Sequence, residues 1–134
     1  MSTITRINDT NLLRRAVQLD AVATGAMALL LVLAAAPLAG LLHLPETLLR
    51  GAGGVLLAYV AFLGWLLLRE RIGAPMAWTV ITINAVWTLA SFVLLAAGWG
   101  APNVLGVTFV VAQALAVLVF AELQYVGLKR SRRG

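Results

Sequence analysis

The chain has 134 residues, of which 62% are hydrophobic and 11% are charged, whereas a soluble domain carries about 25% charged residues. A soluble protein of this composition would have too little polar surface to cover its core, and the length suits one domain, 1–134. The net charge is +5, and the basic residues lie mainly near the chain ends and in one loop. This distribution favours anionic lipid headgroups over nucleic acid as a partner. The absence of cysteine excludes disulfides and thiolate metal sites.

The first predicted element is an apolar span over residues 16–36, preceded by a polar segment, 1–11, that predicts a short cytoplasmic tail. Pro37 is expected to end or kink this helix, because proline lacks a backbone N–H and clashes with the preceding turn. The apolar residues 38–42 that follow are expected at the outer membrane interface.

A second span is predicted over residues 48–68. Pro45 suits the first turn of a helix, and Glu46 suits the positive end of the helix dipole. The charged turn 69–75 follows this span and separates it from the next one.

Residues 72–121 form a run without any Asp, Glu, Lys or Arg. A helix needs about 20 apolar residues to cross a bilayer core, so this run is long enough for two spans. They are predicted over 76–97 and 105–128, joined by a tight turn over 98–103.

The basic residues divide unevenly between the two ends of these spans. The end that holds the chain termini has nine: Arg6, Arg14, Arg15, Arg69, Arg71, Lys129, Arg130, Arg132 and Arg133. The opposite end has Arg50. The four apolar spans predict an all-α, up-down-up-down four-helix bundle, and the positive-inside rule predicts that both termini are cytoplasmic. The expected location is the bacterial inner membrane.

Asp20 and Glu122 are the acids nearest the hydrocarbon. A charged group at the bilayer centre costs about 2.5–3.5 kcal/mol on insertion scales, so it needs a partner. The basic residues expected at the same depth are Arg14, Arg15, Arg69 and Lys129. The two acids are interpreted as a structural cluster neutralised by arginines, since both can reach the interface; a proton-coupled or cation-binding carboxylate pair is the alternative.

The third span carries a polar stripe at helical spacing, made of Asn84, Trp87, Thr88 and Ser91. Gln113 in the fourth span is expected near the same depth, so a hydrogen bond between Asn84 and Gln113 is predicted. Such bonds contribute about 0.6 kcal/mol on average in membrane bundles. These residues are interpreted as contacts between helices; the alternative is a small-substrate site that also includes Tyr59.

Small residues recur every three or four positions along the second span, at Gly51, Gly54, Ala58, Ala61 and Gly64. This pattern lets helix backbones approach closely. Packing within the bundle is the favoured interpretation, and a homodimer or partner-helix face is the alternative. The single histidine, His43, is expected to be an ordinary polar residue at the interface.

Four segments carry a resemblance to known proteins: Leu13-Arg14-Arg15-Ala16-x-x-Leu19-Asp20, Asn84-x-x-Trp87-x-x-Ala90-Ser91, Gln113-Ala114 and Ala121-Glu122-Leu123-Gln124. In these segments the chain resembles small four-span bacterial membrane proteins of unknown function, a resemblance that implies no activity. The chain is also similar in size to small multidrug-resistance transporters, and it shares an acid in the first span. The characteristic acid of that family lies deeper, and its aromatic pattern is not found here.

The function expected from the sequence is that of a non-enzymatic accessory, structural or partner-binding subunit without a cofactor. No nucleophile–base pair and no set of metal ligands is visible. The alternative is a dimeric small-solute or cation transporter that uses Asp20, Glu122 and the polar groups of Asn84 and Gln113. The expected partners are the lipid bilayer and a homodimer or partner membrane protein, rather than nucleic acid.

Overall fold

This computed structural model describes the backbone of residues 2–98 and 101–133, and the side chains of residues 12–98 and 101–130. The backbone forms five helices: α1 (Ser2–Leu33), α2 (Ala35–Leu42), α3 (Glu46–Leu67), α4 (Ala74–Ala96) and α5 (Val104–Arg133). Four of them contain segments that are long and apolar enough to cross a membrane: Leu12–Leu33, Glu46–Leu67, Ala74–Ala96 and Val104–Arg130. The prediction of an all-α fold with four spans is confirmed.

The N-terminal boundary differs from the sequence prediction. Residues 2–11, expected to form a polar tail, are the first turns of α1. At its other end α1 stops at Leu33, four residues before Pro37, because the proline ring clashes with the carbonyl group four positions earlier. The chain then continues as the short helix α2, which accommodates Pro37 in its first turn, where a missing N–H leaves no helical bond unmade.

The helix α2 with His43 and Leu44 is called the hook. His43 ends α2 in the left-handed conformation, with a φ of 55°, which histidine tolerates better than most residues. Asn103 joins the hook to the start of α5, since its backbone N–H donates to the Leu42 carbonyl oxygen at 3.2 Å and its side-chain amide donates to the Leu41 carbonyl oxygen at 2.8 Å. The Asn103 side-chain oxygen also accepts from the Gly106 N–H at 2.8 Å, which caps α5.

Two glycines mark the closest approaches of backbones in the bundle. A Cβ atom at Gly106 would collide with the Leu42 carbonyl oxygen, and one at Gly127 would lie 2.7 Å from the backbone of Leu13. Any larger residue would push α5 away from the hook at one end and from α1 at the other.

The helices do not pack in the order in which the chain connects them. The helix α1 packs against both α3 and α5, α5 also packs against α4, and α2 lies on α3 and α5. The backbones of α3 and α4 are not packed along their length, although a short turn joins them. Side chains fill the space between them near the end that holds the α3–α4 turn, called here the terminal end.

The buried apolar residues form two clusters, one at each end of the bundle. The terminal-end cluster contains Leu13, Val17, Tyr59, Leu63, Leu66, Ala77, Val80 and Leu128. The hook-end cluster contains Ala28, Leu31, Ala35, Leu42, Leu44, Leu49, Leu56 and Val110. Polar side chains from four helices lie between these clusters.

Candidate functional site

Asp20 lies on the interior face of α1. The buried residues of this helix recur at helical spacing: Leu13, Val17, Asp20, Thr24, Ala28 and Leu31. Asp20 follows Leu13 by seven positions, about two turns, so its side chain points where Leu13 points. Its exposed fraction is 0%, and the carboxylate therefore does not reach the membrane interface.

Four hydrogen-bond donors surround the Asp20 carboxylate. The Thr24 hydroxyl donates to Oδ1 at 2.8 Å. The other oxygen, Oδ2, accepts from the Tyr59 hydroxyl at 2.7 Å, the Asn84 amide at 2.9 Å and the Gln124 amide at 2.9 Å. These five residues are called the carboxylate cluster, and they come from α1, α3, α4 and α5.

The donors of the carboxylate cluster are also bonded to one another. The Asn84 amide donates to the Gln124 side-chain oxygen at 2.9 Å, and the Tyr59 hydroxyl lies 3.1 Å from the Asn84 side-chain oxygen. Asp20 is eight residues from the start of the apolar segment at Leu12, which places it about 12 Å into the span. An ionisable group at such a depth is a functional-site hypothesis by default.

Among the side chains of residues 12–98 and 101–130, no arginine forms an ion pair with Asp20. The Arg14 guanidinium donates instead to the carbonyl oxygens of Leu67 at 3.0 Å, Arg69 at 2.7 Å and Glu70 at 3.0 Å. It thus satisfies the Leu67 carbonyl group at the C-terminus of α3, which has no partner within the helix, and two carbonyl groups of the turn that follows. Arg15 is exposed.

Glu122 is exposed and lies outside the carboxylate cluster. It precedes the buried Gln124 by two residues, which corresponds to about 200° around the helix axis. Among residues 12–98 and 101–130, the one ion pair within 4.0 Å joins Glu46 to Arg50, at 2.9 Å. The grouping of Asp20, Glu122 and arginines expected from the sequence is therefore not formed in the described residues.

The two remaining basic residues expected in that grouping lie over aromatic rings. The Arg69 guanidinium is 5.0 Å from the centre of the Trp65 ring, and the Lys129 amine is 6.0 Å from that of Tyr125. Basic and aromatic side chains of this kind are typical of a membrane–water interface.

The polar stripe of α4 divides between two centres. Asn84 belongs to the carboxylate cluster, whereas the Trp87 indole donates to the Gln113 side-chain oxygen at 2.8 Å. The Gln113 amide donates in turn to the Ser91 hydroxyl at 2.9 Å. The predicted bond between Asn84 and Gln113 is therefore replaced by bonds to other partners. The reason is that Gln113 lies at the level of Trp87, one turn closer to the hook end.

A cavity of about 860 Å³ lies at the hook end and is called the hook-end cavity. Its walls are mostly apolar and include Met27, Leu56 and Phe109, and its polar groups include those of Trp87, Ser91 and Gln113. Val55 of α3 and Val93 of α4 also line it and are exposed by 59% and 57%. The cavity therefore opens on the side of the bundle, between α3 and α4.

The carboxylate cluster lies about one helical turn from this cavity. On three helices a cluster residue is three positions from a cavity-lining residue: Thr24 and Met27, Tyr59 and Leu56, and Asn84 and Trp87. Three positions correspond to about 4.5 Å along a helix axis. The buried carboxylate and the cavity are therefore separated by about one helical turn.

The small residues of α3 make no close contact with the other helices, and Gly51 also lines the hook-end cavity. Positions 51, 54, 58 and 61 are exposed and position 64 is half-buried, and Cβ atoms built at the three glycines would meet no atom within 4 Å. The intramolecular contact is made instead by Gly53, where a Cβ would lie 2.7 Å from the Val32 side chain. Packing within the bundle, the interpretation favoured by the sequence, does not occur at this face.

Thr24 and Gln124 belong to the carboxylate cluster but were not identified from the sequence. Thr24 follows Asp20 by four residues, which is the spacing of neighbours on one helix face. Gln124 follows Gln113 by eleven residues, about three turns, so the two amides share a face of α5. Both residues could therefore have been identified from their helical spacing relative to Asp20 and Gln113.

No known protein family, characterised protein or solved structure matches the chain. Four apolar helices of spanning length fit a small multi-pass membrane protein. A more specific function rests on the geometry of the carboxylate cluster and the hook-end cavity.

Proposed function

We propose that this protein binds a small amphiphilic molecule in the hook-end cavity, as a carrier for solutes dissolved in the bilayer would. The cavity itself is the observation that supports this function. Its volume of about 860 Å³ falls within the range of about 300–1,000 Å³ typical of ligand sites. Binding of this kind belongs to the transporter class, not to the accessory-subunit class that the sequence favoured.

The chemistry of the cavity wall defines the ligand. Apolar side chains surround most of the space, which suits an alkyl or aromatic body. The Gln113 amide N–H groups donate to Ser91 and to the Val110 carbonyl oxygen, and its side-chain oxygen accepts from Trp87. That oxygen has a second lone pair, which can accept from a hydroxyl or amine group of a ligand. No charged residue lines the cavity within the described residues, so an uncharged ligand with one polar group fits best.

Thermal unfolding in lipid nanodiscs tests this function. Long-chain alcohols should raise the melting temperature of the wild-type protein, because a ligand that binds the folded state stabilises it by mass action. The substitution Ala52→Phe fills the cavity and should abolish the rise. The matched substitution Ala58→Phe, on the exposed face of the same helix, should preserve it. An equal rise in both variants, or none in the wild type, would overturn the proposal.

The orientation proposed for this protein has both termini in the cytoplasm and the hook end outside, in a bacterial inner membrane. The distribution of nine basic residues against one supports it. A reporter that is active in the periplasm should give a strong signal when fused after Gly100 and none when fused after Gly134. Trp99 and Gly100, at the former position, lie outside the described residues.

A second candidate is an accessory subunit that binds a partner helix or a second copy of this chain. The exposed position of Gly54, Ala58 and Ala61 favours it, because small exposed residues allow a second helix to approach closely. Single-molecule photobleaching in bilayers should show two copies per complex, and Gly54→Leu should reduce that number. A single copy in both proteins would leave the outward face of α3 to lipid.

A further inference from the structure

The Tyr59 hydroxyl carries one proton and faces two acceptors. It lies 2.7 Å from the Asp20 Oδ2 atom and 3.1 Å from the Asn84 Oδ1 atom. A hydroxyl donates one hydrogen bond and accepts others, so Tyr59 serves one of these oxygens at a time. The protonation state of Asp20 determines which oxygen that is.

When Asp20 is ionised, the Tyr59 hydroxyl donates its hydrogen bond to the Asp20 carboxylate. Its Oδ1 atom accepts from Thr24, and its Oδ2 atom accepts from Tyr59, Asn84 and Gln124. The Asn84 Oδ1 atom then faces the lone pairs of Tyr59 and has no other donor among the described side chains. One buried acceptor is therefore left without a bond, which is unfavourable in an apolar interior.

A protonated Asp20 satisfies that acceptor. Its new O–H donates to the Tyr59 oxygen at the observed 2.7 Å, and the Tyr59 O–H turns to donate to Asn84 Oδ1 at 3.1 Å. No heavy atom has to move between the two states. The Asn84 amide keeps its bond to the Gln124 oxygen in both of them.

We propose that Asp20 is a reversible proton-binding site inside the membrane, with the Tyr59 hydroxyl turning between Asp20 and Asn84 as the proton arrives and leaves. Protonation breaks one O–H bond of a hydronium ion and forms one O–H bond on the Asp20 carboxylate. Deprotonation returns the proton to water, and the Tyr59 O–H bond stays intact in both steps. This site is independent of the occupant of the hook-end cavity, because it uses none of that cavity's polar groups.

The described groups that contact Asp20 carry no positive charge, so a bound proton is what neutralises its carboxylate. On α3, the titratable group that touches it is Tyr59; α4 and α5 present the amides of Asn84 and Gln124. The Arg14 guanidinium is engaged by carbonyl groups of the α3 terminus, and Glu122 is exposed. A metal cation fits less well, since the two amide nitrogens occupy the positions around Oδ2 that a cation would take.

Infrared spectroscopy of the protein in lipid vesicles tests the proposal. Asp9 and Asp20 are the two aspartates of the sequence, so an Asp9→Asn protein with carboxyl-labelled ¹³C-aspartate reports on Asp20 alone. We expect a labelled carboxylic-acid band at low pH that gives way to a carboxylate band when the pH is raised. Asp20→Asn should remove both bands, and Glu122→Gln should leave them unchanged.

The Tyr59→Phe variant distinguishes the proposed pair from an isolated acid. Its carboxylic-acid band should move to higher frequency, because the protonated carboxyl loses the oxygen to which it donates. A band that stays in one form over the whole pH range would overturn the proposal. A conversion between the two bands driven by sodium at constant pH would also overturn it, because it would assign the site to a metal cation. An unchanged frequency of the carboxylic-acid band in Tyr59→Phe would overturn it as well.

Discussion

The carboxylate cluster and the hook-end cavity lie one helical turn apart, yet they satisfy their polar groups in opposite ways. In the cluster, four helices direct donors at Asp20, whose exposed fraction is 0%. In the cavity, Gln113 is held by Trp87 and Ser91 at the edge of an open apolar space. The closely packed carboxylate cluster has room for a proton only, whereas the open hook-end cavity can hold an organic molecule.

The largest expected difference between the two centres is in stability. Asp20→Leu removes the acceptor of donors on Tyr59, Asn84 and Gln124, so it should lower the free energy of unfolding by about 3 kcal/mol. Gln113→Leu breaks two bonds between helices and should cost about 1 kcal/mol. Unfolding in mixed detergent micelles measures both. Glu122→Leu is the control at an exposed acid, and equal losses for Asp20 and Gln113 would break the comparison.

The two glycines at the close approaches of α5 should separate the centres. Gly127→Ala forces α5 away from Leu13, three positions from Gln124, so it should alter the Asp20 infrared band and spare amphiphile binding. Gly106→Ala acts on the Leu42 contact, three positions from the cavity-lining Phe109, so it should have the converse effect. Each should cost about 1.5 kcal/mol of stability, because an added methyl group clashes with backbone.

Gly54→Ala is the matched control for these two variants, since a Cβ at that position meets no atom within 4 Å. It should leave the infrared band, amphiphile binding and stability close to those of the wild type. If Gly127→Ala and Gly106→Ala changed both centres equally, the centres would form one cooperative unit.

The smallest expected effect is that of Arg14→Gln. Its bonds to the α3 carbonyl groups are half-buried or exposed, so their loss should lower stability by about 0.5–1 kcal/mol. The Asp20 infrared band should keep its dependence on pH. A large change in the pH dependence of this band would show that Arg14 compensates the charge of Asp20. The carboxylate cluster would then be a charge-neutralised group of side chains and not a proton-binding site.

The spans could be predicted from the sequence because membrane thickness sets their length and charged residues mark their ends. The burial of Asp20 could also have been derived, since Asp20 is in phase with Leu13, Val17 and Ala28 on one face of α1. The position of Asp20 along the span suggested that its carboxylate could reach the membrane interface. Its position on the buried face of α1 shows that the carboxylate points into the bundle instead.

The partners of Asp20 could not be derived from the sequence in the same way. Choosing Gln124 over Glu122 requires knowing which face of α5 meets α1, and that is fixed by the contact of Gly127 with Leu13. The hook was missed because an apolar segment after a proline reads equally well as interface coil or as helix. The cavity depends on the gap between α3 and α4, two neighbours in sequence that would ordinarily be expected to pack.

The bonds from Asn103 to the hook set an order of events during translation. Asn103 and Leu41 are 62 residues apart, so at about 5–20 residues per second the ribosome needs about 3–12 s to make the second after the first. During that interval the carbonyl groups of Leu41 and Leu42 depend on water or on the insertion machinery for hydrogen bonds. These hydrogen bonds can form only after residue 103 has been synthesised, just ahead of α5. A ribosome stalled before that residue therefore carries a chain in which the Leu41 and Leu42 carbonyl groups still lack their Asn103 partner.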